Sequence, residues 1–164
     1  MASALDIGDR GNIHPTDKID VGLRLARAAH KVAYGEDVVA SGPIYDSMKV
    51  EGGAIRIAFK PESVGGGLTT GSPPWSPNGS PLPIDPELKG FYVAGADQQF
   101  VPAKATVDGA TLVVSAEGVT APAAVRYGWE NCPSGNLYNK EGLPASTFRT
   151  DTWNPAPTPA PAAK

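Results

Sequence analysis

Hydrophobic positions along the chain follow two different periods. From about Lys18 to Tyr34 the apolar residues Val21, Leu25, Ala28 and Val32 recur at intervals of four, three and four. Small residues, Gly22, Ala26, Ala29 and Ala33, run beside them at the same spacing, while Arg24, Arg27 and Lys31 fall elsewhere on the wheel. This pattern predicts an amphipathic helix with a broad face of small and branched side chains, suited to lying close on a sheet. Thr16 or Asp17 is placed to cap its start and Gly35 to close its end. His30 falls among the charged positions and is expected in solvent.

After the helix the period drops to two. Met48–Val50 and Ala54–Phe59 read as strands joined through the turn Glu51-Gly52-Gly53. Phe91–Ala94 is a further strand, turned by Gly95-Ala96-Asp97-Gln98 into Phe100-Val101 and a continuation from about Ala103 to Val107. Asp108-Gly109 turns the chain into Thr111–Ser115, and Ala123–Trp129 is the last strand with a clear pattern, with Trp129 expected in the core. Short strands closed by Gly or Asp-Gly predict a mainly β fold, an antiparallel sandwich following the helix. Two segments break the pattern. Residues 69–86 are rich in Gly, Ser and Pro around Trp75 and read as a long flexible loop. Residues 154–164 form a Pro/Ala tail, expected to be extended and disordered.

Composition narrows the function. A chain of 164 residues can bury one ordinary core, and 17 prolines and 19 glycines favour loops and short strands over a helical bundle. The formal net charge is -3 and the basic residues do not cluster, which argues against a nucleic-acid surface. No apolar run has the length to span a bilayer, and the N-terminus shows no basic stretch leading into an apolar one, so neither a membrane partner nor an export signal is read. The single cysteine, Cys132, excludes an internal disulfide, and the two histidines are too scattered for a His-only metal site. No metal or other cofactor is expected.

The candidate chemistry lies in Asp6-Ile7-Gly8-Asp9-Arg10-Gly11-Asn12-Ile13-His14-Pro15, a Gly-containing loop that leads into the helix. An imidazole with carboxylates nearby and a proline to stiffen the exit is what a loop presenting a catalytic base requires. The same residues also fit a surface loop whose histidine caps or packs. A Cys132–His14 pair has nothing around Cys132-Pro133 to lower the thiol pKa, and no two carboxylates stand out as a glycosidase pair. Trp75, Trp129, Tyr138 and Trp153 have rings able to stack on sugars.

Several runs together resemble the sialate O-acetylesterase family: Gly42-Pro43-Ile44-Tyr45-Asp46-Ser47-Met48-Lys49-Val50-Glu51-Gly52, Val125-Arg126-Tyr127-Gly128-Trp129, Asn136-Leu137-Tyr138-Asn139-Lys140-Glu141-Gly142-Leu143-Pro144-Ala145-Ser146, and Phe148-Arg149-Thr150-Asp151. Asp6-Ile7-Gly8 followed by Ile13-His14-Pro15 is similar to that family's histidine block, and the resemblance runs in order from about Met1 to Trp153.

This family is of the SGNH type of serine esterase, and the resemblance implies a division of the chain. Residues 1–40 would be the terminal piece of an α/β/α hydrolase domain, its catalytic-histidine loop and last helix. Residues 41–153 would be a β-rich accessory domain. His14 would be the catalytic base, with Asp6 and Asp9 as candidate orienting acids, because Gly11 stands three residues before His14 where many such enzymes carry the acid. Residues 136–145 would either line the rim of the site, with Asn136 and Tyr138 in contact with substrate, or only plug the sandwich against the α/β/α domain, and the partner would be an O-acetylated carbohydrate. The Gly-Asp-Ser-like nucleophile block is absent, since Gly8-Asp9 is followed by Arg10, and no Gly-x-Ser-x-Gly occurs. The expectation is therefore the C-terminal part of a larger esterase, inactive alone, with a separate chain as the possible source of the Ser domain. The alternative is a non-catalytic β module that binds carbohydrate or braces an esterase. Members of the family are often periplasmic or secreted; the location of this chain is left open.

Overall fold

The structure is a computed structural model and describes residues 2–8, 12–14, 16–71, 84–131 and 133–153. The flanks of His14, including Asp9 and Pro15, lie outside the described residues, as do Trp75 with most of the expected loop, Cys132 and the Pro/Ala tail.

Among the described residues one longer helix, α1 (Lys18–Val32), precedes ten short strands and a single-turn helix. Asp17 is its N-cap and accepts from the Asp20 N–H at 3.0 Å. At the other end Gly35 takes φ 70°, and the Glu36 N–H folds back onto the His30 carbonyl at 3.0 Å.

Three antiparallel sheets follow. The first pairs β1 (Tyr45–Glu51), β2 (Ala54–Phe59), β7 (Thr111–Ser115) and β6 (Lys104–Asp108) in that spatial order. The second has the order β10 (Phe148–Arg149), β8 (Ala124–Tyr127), β4 (Phe91–Ala94) and β5 (Val101–Pro102). The third pairs β3 (Leu68–Thr70) with β9 (Leu137–Asn139), and α2 (Pro61–Val64) bridges β2 to β3.

The alternation read from the sequence decides what faces inward. Along β2 and β7 every second residue is buried, and the register sets Ile55 opposite Val114 and Ile57 opposite Leu112, all four without solvent exposure. From the second sheet Phe91, Val93, Val125, Tyr127 and Phe148 enter the same core, joined by Leu68 and Leu137 of the third. The expectation of a mainly β, antiparallel, sandwich-like region holds.

Three details differ from the sequence reading. The start of the expected loop, Thr69-Thr70, belongs to the strand Leu68–Thr70, which pairs with β9. The last long strand stops at Tyr127, because Gly128 takes φ 59° and its N–H returns to the Gly90 carbonyl at 2.9 Å. Trp129 therefore leaves the sheet alternation and is 43% exposed instead of entering the core. Third, the apolar stripe of α1 is only partly covered: Val21 and Ala28 are half-buried, but Leu25 is 54% and Val32 81% exposed, whereas Arg24 is buried. Among the described residues no sheet lies against that stripe, so the helix is held by a charged side chain.

Candidate functional site

The N-terminal segment is tied to both α1 and the sandwich through one carboxylate. Asp6 Oδ1 accepts from Arg24 Nη1 at 2.6 Å and Asp6 Oδ2 from Arg24 Nη2 at 2.7 Å, a bidentate pair with side-chain exposures of 2% and 6%. The Tyr138 hydroxyl donates to Asp6 Oδ2 at 2.8 Å, across 132 residues of sequence. Arg24 Nη1 also donates to the Ser3 carbonyl at 2.9 Å. Burial, reinforced by the adjacent Asp6 charge, drives the Tyr138 hydroxyl far above the ordinary tyrosine range, so it remains a donor. Burial and the neighbouring Asp17 carboxylate likewise raise Asp20, against the pull of Arg24.

Asp6 is thus committed to Arg24 and Tyr138, and no hydrogen bond between it and His14 is formed. His14 is exposed on a short turn, where its backbone N–H donates to Asn12 Oδ1 at 2.8 Å. Among the described residues nothing hydrogen-bonds its imidazole, and no serine or cysteine touches it. Asp9 lies outside the described residues.

Both residues expected at a substrate rim point inward. Asn136, 8% exposed, accepts from the Lys89 N–H at 2.8 Å through Oδ1. It donates through Nδ2 to the carbonyls of Glu87 at 2.9 Å and Asp85 at 3.3 Å, fastening residues 85–89 to the sandwich. Tyr138, 3% exposed, is spent on Asp6.

Two polar anchors escaped the sequence reading. Asn139 has no solvent exposure and makes three side-chain hydrogen bonds: Nδ2 to the carbonyls of Ser41 (3.0 Å) and Ser63 (3.1 Å), and Oδ1 from the Leu143 N–H (3.0 Å). Arg126 and Asp151 form the other, with Nε to Oδ2 at 2.9 Å and Nη2 to Oδ1 at 2.8 Å. The only signal for either was their place inside the runs that carry the family resemblance. Those runs meet in space: β8 and β10 set Arg126 opposite Arg149, and Asn139 on β9 holds the chain at Ser41, just before Gly42.

Between the N-terminal segment, α1 and the sandwich lies a largely apolar cleft of about 630 Å³, lined by Ser3, Leu5, Ala28, Val32, Ile44 and Thr147 among others. No helix among the described residues is long and apolar enough to cross a membrane, and no group of three or more His, Cys, Asp or Glu among them is placed to hold a metal ion.

Neither a family model nor a curated protein matches the sequence. Among solved structures the chain is similar to a novel carbohydrate acetylesterase from Xanthomonas citri, with 44% identity and a TM-score of 0.79. The likeness covers 93% of this chain and 32% of that one, so the chain spans about a third of the length of the enzyme it matches. The chain is related in sequence and in structure to a carbohydrate esterase.

Proposed function

We propose that this chain is the base-bearing part of a carbohydrate O-acetyl ester hydrolase of the SGNH type, similar to sialate O-acetylesterases, with His14 as the general base. The observation that carries this reading is the 44% identity to a carbohydrate acetylesterase over 93% of the chain. In such a reaction a serine hydroxyl attacks the acetyl carbonyl and passes its proton to the imidazole. The imidazole returns that proton to the departing sugar oxygen, and water then frees acetate from the acetyl-serine. His14 stands exposed on its turn, where a second surface can reach it.

The reading puts the serine on residues outside this chain, seated against α1. The exposed Leu25 and Val32, on one face of α1, support that placement, since burying each such side chain is worth about 1.5–3 kcal/mol. Asp6 then acts as the anchor of the histidine loop, and the orienting acid is either Asp9 or a residue of the serine-bearing part. Residues 1–40 would dock with that part, and residues 41–153 would brace it.

The test uses an aryl acetate and an O-acetylated sugar as substrates. This chain alone is expected to be inactive. Mixed or fused with the serine-bearing part, it is expected to hydrolyse these acetyl esters and release acetate, with His14→Ala lowering turnover by about 10⁴- to 10⁶-fold. Turnover by the isolated chain would overturn the placement of the serine. Full turnover by the assembled His14→Ala variant would overturn the role of His14.

A further inference from the structure

We propose that a surface hollow on the second sheet, formed by Tyr92, Phe100, Arg126, Trp129 and Glu130, is a binding subsite for one neutral sugar residue of a polysaccharide chain. The hollow measures about 320 Å³, at the small end of ligand sites and sufficient for one ring of a longer chain. The left-handed turn at Gly128 places the indole of Trp129 there, outside the strand alternation, and leaves it 43% exposed. The ring is nonetheless fixed. The guanidinium of Arg149 lies 5.4 Å from its centroid and that of Arg126 5.7 Å.

The polar groups around the indole are fixed as well. Arg126 is pinned by Asp151, whose side chain is 1% exposed, and lies 4.0 Å over the ring of Phe100, which packs on Trp153 with centroids 5.9 Å apart. The Tyr92 hydroxyl donates to Glu130 Oε1 at 2.8 Å, and that bond, with burial, raises the hydroxyl above its ordinary range. Its own lone pairs and the second carboxylate oxygen of Glu130 remain as acceptors beside the partly exposed indole.

This combination selects a ligand class. A pyranose offers a C–H face to an aromatic ring and hydroxyl donors at its edge. An anionic ligand would meet Glu130, while the positive charge of Arg126 is already matched by Asp151. A cationic ligand would compete with two guanidiniums placed over Trp129. The choice of a sugar over other neutral polyols rests on the proposed esterase reading.

The test titrates the full chain, with His14→Ala in parallel, with cello-, xylo- and manno-oligosaccharides and separately with tetramethylammonium. Binding is followed by tryptophan fluorescence and NMR shifts. At least one saccharide is expected to bind, equally well to His14→Ala, with about tenfold weaker affinity in Trp129→Ala and a smaller loss in Glu130→Gln. Unchanged melting would show that both variants fold. No saccharide binding, binding unaffected by Trp129→Ala, or binding of tetramethylammonium alone would each overturn the subsite. Sugar binding without ester turnover in the assembled protein would sink the esterase reading and leave the subsite standing; turnover without binding would do the reverse.

Discussion

Asp6 and Arg24, eighteen residues apart, close a bidentate ion pair at 2.6 and 2.7 Å that Tyr138 completes from the far end of the sequence. One carboxylate therefore joins the histidine loop, α1 and the sandwich. Removing one partner of a buried pair leaves an uncompensated charge and costs about 3–5 kcal/mol. Arg24→Met is expected to release residues 2–8 and α1, seen as faster amide hydrogen exchange there, while Ile55 and Val114 keep their protection. Exchange rising equally in the sandwich core would show that the pair supports the whole fold and not the docking of the N-terminal segment.

Asn139 makes an uncommonly sharp test, because its two functional atoms have opposite needs. Asn139→Ala orphans two carbonyls and one N–H, each worth about 1–3 kcal/mol when buried without a partner. Asn139→Asp keeps the shape but turns a donor into an acceptor facing the Ser41 and Ser63 carbonyls. Both variants are expected to lower the urea midpoint severely, with the aspartate no milder than the alanine at neutral pH. A mild aspartate variant would refute the assigned orientation of the amide.

Gly42 needs its missing side chain for space, not for backbone freedom. A Cβ there would collide with the backbone carbonyl oxygens of Pro144 and Leu143. Both obstacles are backbone, so Gly42→Ala must push apart the segment before β1 and the loop after β9. The expected cost is about 1–3 kcal/mol in chemical unfolding. Gly53→Ala, whose nearest neighbour would be 3.8 Å away, serves as the tolerated control.

Acid sensitivity follows from Asp151. Its hydrogen bonds from Arg126 hold the carboxyl below its ordinary value of 3.8 despite burial. A depressed folded-state pKa gives stability that is present above the unfolded value and lost as pH falls through the folded one. The melting temperature is expected to drop as the solution is taken below about pH 4, and Asp151→Asn should show a shallower decline over that range. Equal acid slopes for the two proteins would count against the pairing.

Tyr127 carries the opposite sign. Burial pushes its hydroxyl up to about 12, so stability falls as pH rises from about 10, the ordinary tyrosine range, toward that value. Tyr127→Phe should flatten this alkaline loss. It should also cost about 1–3 kcal/mol at neutral pH, because the buried Leu137 N–H, now 3.0 Å from the hydroxyl oxygen, loses its acceptor. An alkaline titration of melting temperature for both proteins checks the two effects separately.

The elements legible in advance were those with enough repeats to show a period. Alternation over Ala54–Phe59 and Thr111–Ser115 states which side is buried, and α1 shows its stripe over four turns. Strands of two or three residues such as β5, β9 and β10 are too short to show any period; β9 is moreover buried at every position, including Asn139. The position of Trp129 was misread because the alternation was carried through Gly128, whose left-handed backbone ends it. At the candidate site the histidine was evident as a residue type on a Gly-containing loop. The partners of Asp6 were not, because they lie 18 and 132 residues away.

By itself the sequence determined the β-rich class, the inward residues of the longer strands and the helix, since each depends on local periodicity and on which side chains water rejects. It also carried the kinship with carbohydrate esterases, through runs of residues kept in order. Only the tertiary structure decided that Asp6 belongs to Arg24 and Tyr138, that Asn136 and Tyr138 turn inward, and that Leu25 and Val32 on the stripe of α1 stay exposed. The reason is physical: a hydrogen bond or a buried charge is satisfied by whatever the fold brings within about 3 Å, and linear spacing does not encode that distance.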